Sequence, residues 1–204
     1  MPDSVPKEPT FRFTSHPTTS SFAVNLHTYV SNDPGRKTKS GATVKFNYVA
    51  VGALIFDSSE PERILLVQRA PDDSAPNRWE VPGGATDPED PTILHSVARE
   101  LWEEAGLTAE TIGPEVGEGQ VFLTRSGKLV CKFHFLVEAK RGTNGALNVM
   151  LDPREHQNYV WATEEEVKAR RVGNMELQFT GLQQENAILH GFQARKASKE
   201  AKGN

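Results

Sequence analysis

Residues 83–107, GGATDPEDPTILHSVARELWEEAGL, constrain the fold more than any other stretch of this chain. Leu94, Val97, Ala98, Leu101 and Ala105 recur with a helical period and form one apolar stripe, which predicts an amphipathic helix laid on a core. Asp90 is placed to cap this helix, Pro91 suits its first position, and Gly106 suits the residue just past its end. Glu100, Glu103 and Glu104 crowd the last two turns, where the helix dipole already concentrates partial negative charge. Glu100 and Glu104 are also an i,i+4 pair of like charges, which destabilises a helix. On the helical wheel Glu104 falls at the margin of the apolar stripe, Glu100 beside it and Glu103 further round. At least two acids therefore face the protein or a cleft, where carboxylates need cations or metal. Arg99 stands one turn before Glu103 and can pair with it.

Taken singly, an acid-rich helix is usually a solvated face and a Pro-Gly-Gly stretch a turn. Together, with the acids on the wrong end and the wrong face, they point to a site. A divalent cation between the carboxylates would relieve both penalties. Gly83 and Gly84 let backbone approach a ligand closely, so the Gly84 carbonyl is a candidate oxygen ligand.

At these residues the chain resembles the Nudix hydrolase family, whose box reads Gly-x5-Glu-x7-Arg-Glu-U-x-Glu-Glu-x-Gly-U, with U aliphatic. Arg99, Glu100, Leu101, Glu103, Glu104, Gly106 and Leu107 match its second half. The first half departs. From Gly84 the acidic position falls on Asp90, and eight residues rather than seven precede Arg99, so either Glu89 or Asp90 is open as its occupant. The likeness extends over about residues 45–165, including Trp79 to Gly84 and the strand Leu65 to Arg69.

The resemblance implies an α/β (mixed α+β) fold, an α/β/α sandwich around a mixed sheet. The order of strand and helix patterns along the chain suggests the same. It implies a metal set of Glu100, Glu103 and Glu104 with the Gly84 carbonyl, one glutamate doubling as base, and Arg99 as an orienter. It also implies hydrolysis of a diphosphate bond in a nucleoside diphosphate linked to another moiety. Mg²⁺ is the expected cofactor and Mn²⁺ its substitute, because hard cations take carboxylate, phosphate and water oxygens. Some family members draw a further acid from a facing loop. Glu155 is the candidate here, with Asp152 as its substitute. Arg69, ending a strand near the glycines, is a candidate phosphate ligand beside Gly83 and Gly84.

Two other functions are weighed against this one. The first is a hydrolase of a non-nucleotide diphosphate: an apolar pocket would favour a prenyl diphosphate, a strongly basic one a diphosphoinositol phosphate. The second is a binding or regulatory module without turnover. Retention of Glu100, Glu103 and Glu104 argues against the module, and the absence of a dense basic cluster argues against the inositol.

Composition narrows partners and compartment. A net charge of −4 is no nucleic-acid footprint, so the expected partner is a small-molecule diphosphate. No apolar run approaches a membrane span and no secretory signal opens the chain. A single cysteine, Cys131, excludes an internal disulfide and reads as a buried strand thiol. A cytoplasmic protein is expected, with the nucleus not excluded. The resemblance makes a homodimer reasonable.

Residues 1–44 read as an extension, with residues 1–10 disordered and residues 11–13 and 22–30 as strands or ordered additions. A hydrolase domain is expected over 45–195 and a flexible charged tail over 196–204. Within the domain, residues 46–57 and 63–69 read as an antiparallel hairpin, and residues 120–125 and 129–138 as a second. Residues 146–151 and 159–162 read as short strands, Thr163 as a helix cap, and residues 183–194 as a last helix. His134 alternates away from Phe133 and Phe135 and reads as a sheet-face residue. Phe122, Trp79 and Tyr48 are candidates to stack on a base, although strand aromatics more often belong to the core.

Overall fold

The computed structural model describes residues 10–37, 41–124 and 126–203. The expected disorder of residues 1–9, the strand end at Arg125 and the terminal Asn204 lie outside them. In chain order the elements are β1 (Thr14–Ser15), α1 (Leu26–Asn32), β2 (Arg36–Lys37), β3 (Thr43–Val44), β4 (Tyr48–Ile55), β5 (Arg63–Arg69), β6 (Trp79–Glu80), α2 (Ile93–Ala105), β7 (Ala109–Glu115), β8 (Gln120–Leu123), β9 (Leu129–Ala139), β10 (His156–Thr163), α3 (Glu164–Ala169), β11 (Arg171–Val172), β12 (Met175–Glu176) and α4 (Leu182–Gly203).

A mixed sheet in the order β1-β7-β9-β4, with β8 also on β9, is joined by a smaller antiparallel sheet, β10-β5-β6. The long run Tyr48–Ile55 is apolar almost throughout because both of its faces are covered. Val49, Val51, Ala53 and Ile55 share a core with Phe133, Phe135 and the stripe of α2. Leu54 and Leu136 turn the other way, to Ile188 and Phe192 of α4. The period of two thus divides the strand side chains between two cores, and helices close both faces.

The two sheets meet along residues 82–85. Ala53 N–H donates to the Pro82 carbonyl (2.8 Å) and Val51 N–H to the Gly84 carbonyl (2.9 Å), so this loop lies against β4. Gly83 is needed there: its φ is 150°, and a Cβ would sit 2.2 Å from the Val51 carbonyl oxygen. The loop therefore reaches α2 from a fixed rail.

Several expectations are corrected. β4 and β5 do not pair as a hairpin. β4 runs parallel to β9, β5 pairs with β10 and β6, and a single bridge, Phe56–Ile64, links the two strands. Two strands that are apolar on both faces carry no alternation to name their partner. Residues 146–151 form no strand; Leu147 and Val149 pack on the core, and Met150 N–H satisfies the Ala105 carbonyl at the end of α2 (2.9 Å). The last helix runs past the expected residues 183–194 to Gly203. In the N-terminal segment, residues 11–13 precede a two-residue strand on β7, and residues 22–30 run from the end of a 3₁₀ turn into α1, whose Tyr29, with Phe22, enters the first core.

Other expectations hold. The hairpin of β8 and β9 forms, Cys131 and His134 are buried, and Thr163 makes a capping box with Glu166. Among the described residues no helix is long and apolar enough to cross a membrane.

Candidate active site

Helix α2 sets the site by which of its side chains point inward. Leu94, Val97, Ala98, Leu101 and Ala105 are buried, and Gly106 ends the helix in the left-handed conformation at φ 66°. The register that buries Leu101 also carries in Glu100 (8 % exposed) and Glu104 (5 %). The cap is Thr92, whose hydroxyl accepts the His95 N–H (3.2 Å), and not Asp90. Asp90 is committed elsewhere. It accepts the Arg99 guanidinium (2.9 Å to Nη2) and the Asp87 N–H (3.0 Å). The lengthened loop thus delivers Asp90 to the site, while Glu89 is exposed beside Asp87.

Arg99 is the hub of one half of the site. It donates to Asp90, to Glu100 Oε1 (2.8 Å), to Glu103 Oε2 (2.7 Å) and to the Ala85 carbonyl (3.0 Å). Burial works against its charge, but Asp90, Glu100 and Glu103 outweigh burial and hold the guanidinium firmly protonated. Glu100 nevertheless has its carboxyl pushed up to about 7: burial dominates, Arg99 opposes it, and Glu103 and Glu155 add repulsion. Glu100 lies against the loop so closely that a Cβ on Gly84 would come within 2.6 Å of Oε2. Gly84 is thus a cradle for Glu100, and its carbonyl already accepts one N–H from β4.

Glu104 occupies the other half. Its Oε2 accepts the Gly83 N–H (2.6 Å). Burial raises its carboxyl well above the ordinary range, and Glu80 and Glu100 raise it further against the Gly83 N–H and Lys132. Glu80 is also buried. Burial pushes it up, yet His156, Lys132 and Arg69 together hold it below the usual carboxylate range. Arg69 pairs with Glu80 and Asp73, so its guanidinium is engaged within the protein although it lines the adjoining cavity. Glu155 reaches this half from the turn before β10. Among the described residues, the trio of acid or imidazole ligand atoms lying within 4.8 Å of one another belongs to Glu104, Glu155 and His156. Asp152 instead pairs with Arg154.

The structure therefore brings Glu100, Glu103 and Arg99 together on one side and Glu104 and Glu155 on the other, with Gly83 and Gly84 between. Glu80, Lys132 and His156 were not singled out from the sequence. They come from three strands and carry no local spacing that links them to the box. Trp79 is wholly buried and belongs to the core, Tyr48 carries Lys128 over its ring, and Phe122 lines the cavity.

A helix presenting buried carboxyls of raised pKa to a glycine loop, on a mixed α/β/α scaffold, is the arrangement that the sequence resemblance implies. The sequence matches the NUDIX domain over residues 47–180, and the chain belongs to that family. It is 30% identical over 139 residues to the CTP pyrophosphohydrolase of Escherichia coli (strain K12), a match covering 68% of this chain and 88% of that relative. The MutT protein from Methanosarcina mazei Go1 superposes with a TM-score of 0.55 at 25% identity, over 73% of this chain and 95% of its own. A C. elegans Ap4A hydrolase superposes with a TM-score of 0.53 at 24% identity, over 74% and 98%, a likeness of fold.

Proposed function

We propose that this protein is a Mg²⁺-dependent hydrolase of the diphosphate bond in nucleoside diphosphates linked to a further group, nucleoside triphosphates included. The observation that carries the reading is the pair Glu100 and Glu104. Both are buried, burial and neighbouring acids raise both carboxyls above the ordinary range, and both abut Gly83 and Gly84. Acids so placed are costly in a bare protein and suited to a hard cation with oxygen ligands. Glu100, Glu104 and Glu155 would hold the ion. Glu103, salt-bridged to Arg99, would contribute from the rim. When bound, the ion supplies charge to the phosphoryl oxygens and lowers the pKa of a water. Arg99 fixes the carboxylates in place, Gly83 N–H orients Glu104, and a buried carboxylate takes the proton of the attacking water as the bridging P–O bond breaks.

The cavity beside the carboxylates, about 410 Å³ in volume, supports this substrate class. Phe122 offers a ring face, Gln120, Gln183 and Gln184 offer amides, and Lys132 and Arg69 are its cations. A prenyl chain would meet too many amides and an inositol polyphosphate too few cations. A planar base with ribose and phosphates suits this mixture. The name of the Escherichia coli relative, a CTP pyrophosphohydrolase, favours pyrimidine triphosphates as the first compounds to try.

The test is phosphate release, with added phosphatase or pyrophosphatase where the product needs it, from a panel of nucleoside triphosphates, ADP-ribose, NADH, dinucleoside polyphosphates, a prenyl diphosphate and a diphosphoinositol phosphate, with Mg²⁺ or with chelator. Turnover of a nucleotide class that chelator abolishes is expected. Turnover confined to the last two compounds, or unaffected by chelator, would overturn the proposal.

A further inference from the structure

We infer that His156 supplies a nitrogen ligand to a mixed nitrogen–oxygen cation position formed with Glu104 and Glu155, so that the protein binds Mn²⁺ with a preference over Mg²⁺ that carboxylates alone would not give. The inference deepens the hydrolase reading and rests on Glu104 holding an ion.

The geometry comes from the turn that starts β10. Glu155 and His156 N–H groups both donate to the Asp152 carbonyl (3.1 and 2.9 Å), and the Glu155 carbonyl accepts the Ala70 N–H (2.9 Å). His156 opens the ladder opposite Arg69, and the register slips between His156 and Asn158. In a regular strand two successive side chains would point to opposite faces. Here Glu155 is still in the turn, and both side chains reach Glu104, with one ligand atom from each within 4.8 Å of the others. Nitrogen and carboxylate ligands stand about 2.0–2.2 Å from a zinc ion, so atoms within 4.8 Å of one another lie close enough to share one ion.

The imidazole itself is the independent sign of a ligand. His156 is 2% exposed, and neither ring nitrogen has a hydrogen-bond partner. Buried polar atoms are nearly always satisfied. Glu80 Oε1 stands 3.7 Å from Nε2, an electrostatic contact that helps keep Glu80 ionised but is too long for a hydrogen bond. Glu104 and His156 are buried while Glu155 is exposed, which leaves an entry path on the Glu155 side. Mg²⁺ takes oxygen ligands almost exclusively, so replacing one oxygen by an imidazole nitrogen disfavours it relative to a first-row ion such as Mn²⁺.

The test loads the full chain with Mn²⁺ and reads pulsed electron paramagnetic resonance. Wild type is expected to show modulation from a directly coordinated ¹⁴N. His156→Gln is expected to lose it while still binding Mn²⁺, with Mn²⁺ affinity falling by at least about tenfold, the lower end of what even outer-shell partners cost, and Mg²⁺ affinity changing far less. Labelling histidine with ¹⁵N in wild type, which requires no substitution, should replace the ¹⁴N signal. Bound Mn²⁺ with oxygen ligands only, a ¹⁴N signal unmoved by the label, or one retained in His156→Gln would overturn the role of His156 and leave the hydrolase standing. Failure to bind Mn²⁺ or Mg²⁺ at all would overturn both.

Discussion

Helix α2 holds its acids in two settings less than two turns apart. Around Arg99, three carboxylates share one guanidinium, and each charge has a hydrogen-bonded counterpart. Around Glu104, the Gly83 N–H faces a carboxylate crowded by Glu80, Glu100 and Glu155, with the charge of Lys132 opposing them. The first half is compensated within the protein, whereas Glu104 accepts a backbone N–H rather than a guanidinium and has its carboxyl raised by burial and by neighbouring acids. The lesson is that a run of glutamates is not one functional unit: geometry ties Glu103 to Arg99, sets Glu104 against the glycine loop, and shares Glu100 between the two.

The sharpest way to break this contrast is to remove charge from each half separately. Glu104→Gln should lower turnover by about 10²–10³-fold, the scale of deleting one charge-stabilising group, while the metal-free protein becomes no less stable. Steady-state kinetics beside thermal melts in chelator would check both; equal losses of activity and stability would erase the distinction. Arg99→Ala should do the reverse first. It leaves Asp90, Glu100 and Glu103 without their cation, and stripping one partner from a buried pair costs about 3–5 kcal/mol. Denaturant unfolding reads that loss, and Arg99→Lys should recover only part of it because the fork is gone.

pH sharpens the same contrast. Folded Glu100 keeps its proton up to about 7, against an ordinary value of 4.5. Between those values the folded chain binds more protons than the unfolded one, so metal-free stability should fall as pH rises, at up to about 1.4 kcal/mol per pH unit. Saturating Mg²⁺ should flatten that decline; melts from pH 5 to 8 with and without the ion measure it. The smallest effect belongs to Glu103, whose side chain is 39% exposed. Glu103→Gln should change stability by less than about 1 kcal/mol, as exposed ion pairs do.

What could be read ahead of the structure was local. The inward faces of Glu100 and Glu104 follow from their phase against Leu101, the Arg99–Glu103 pair from a spacing of four, and the helix cap from Thr163. Strand β5 was legible to the residue as a run of apolar side chains. What escaped was long-range. Nothing in Val49 or Leu65 says which strand lies beside it. Strand β7 contains Pro114 and two register slips that hide its pattern. The placement of Glu80, Lys132 and His156 around Glu104 depends on three strands meeting at one loop. Asp90 was legible as an acid in the box but mistaken for a cap, because an Asp before a helix looks the same whether it accepts backbone N–H groups or a guanidinium.

The most direct test of the Glu104 half is calorimetric titration of Mg²⁺ into wild type and Glu104→Gln at pH 6, without substrate, in two buffers of different ionisation enthalpy. The account predicts Mg²⁺ binding to wild type with release of protons, from Glu100 and Glu104, and loss of most of that affinity in the variant. Equal affinities in the two proteins, or binding with no proton release, would contradict it.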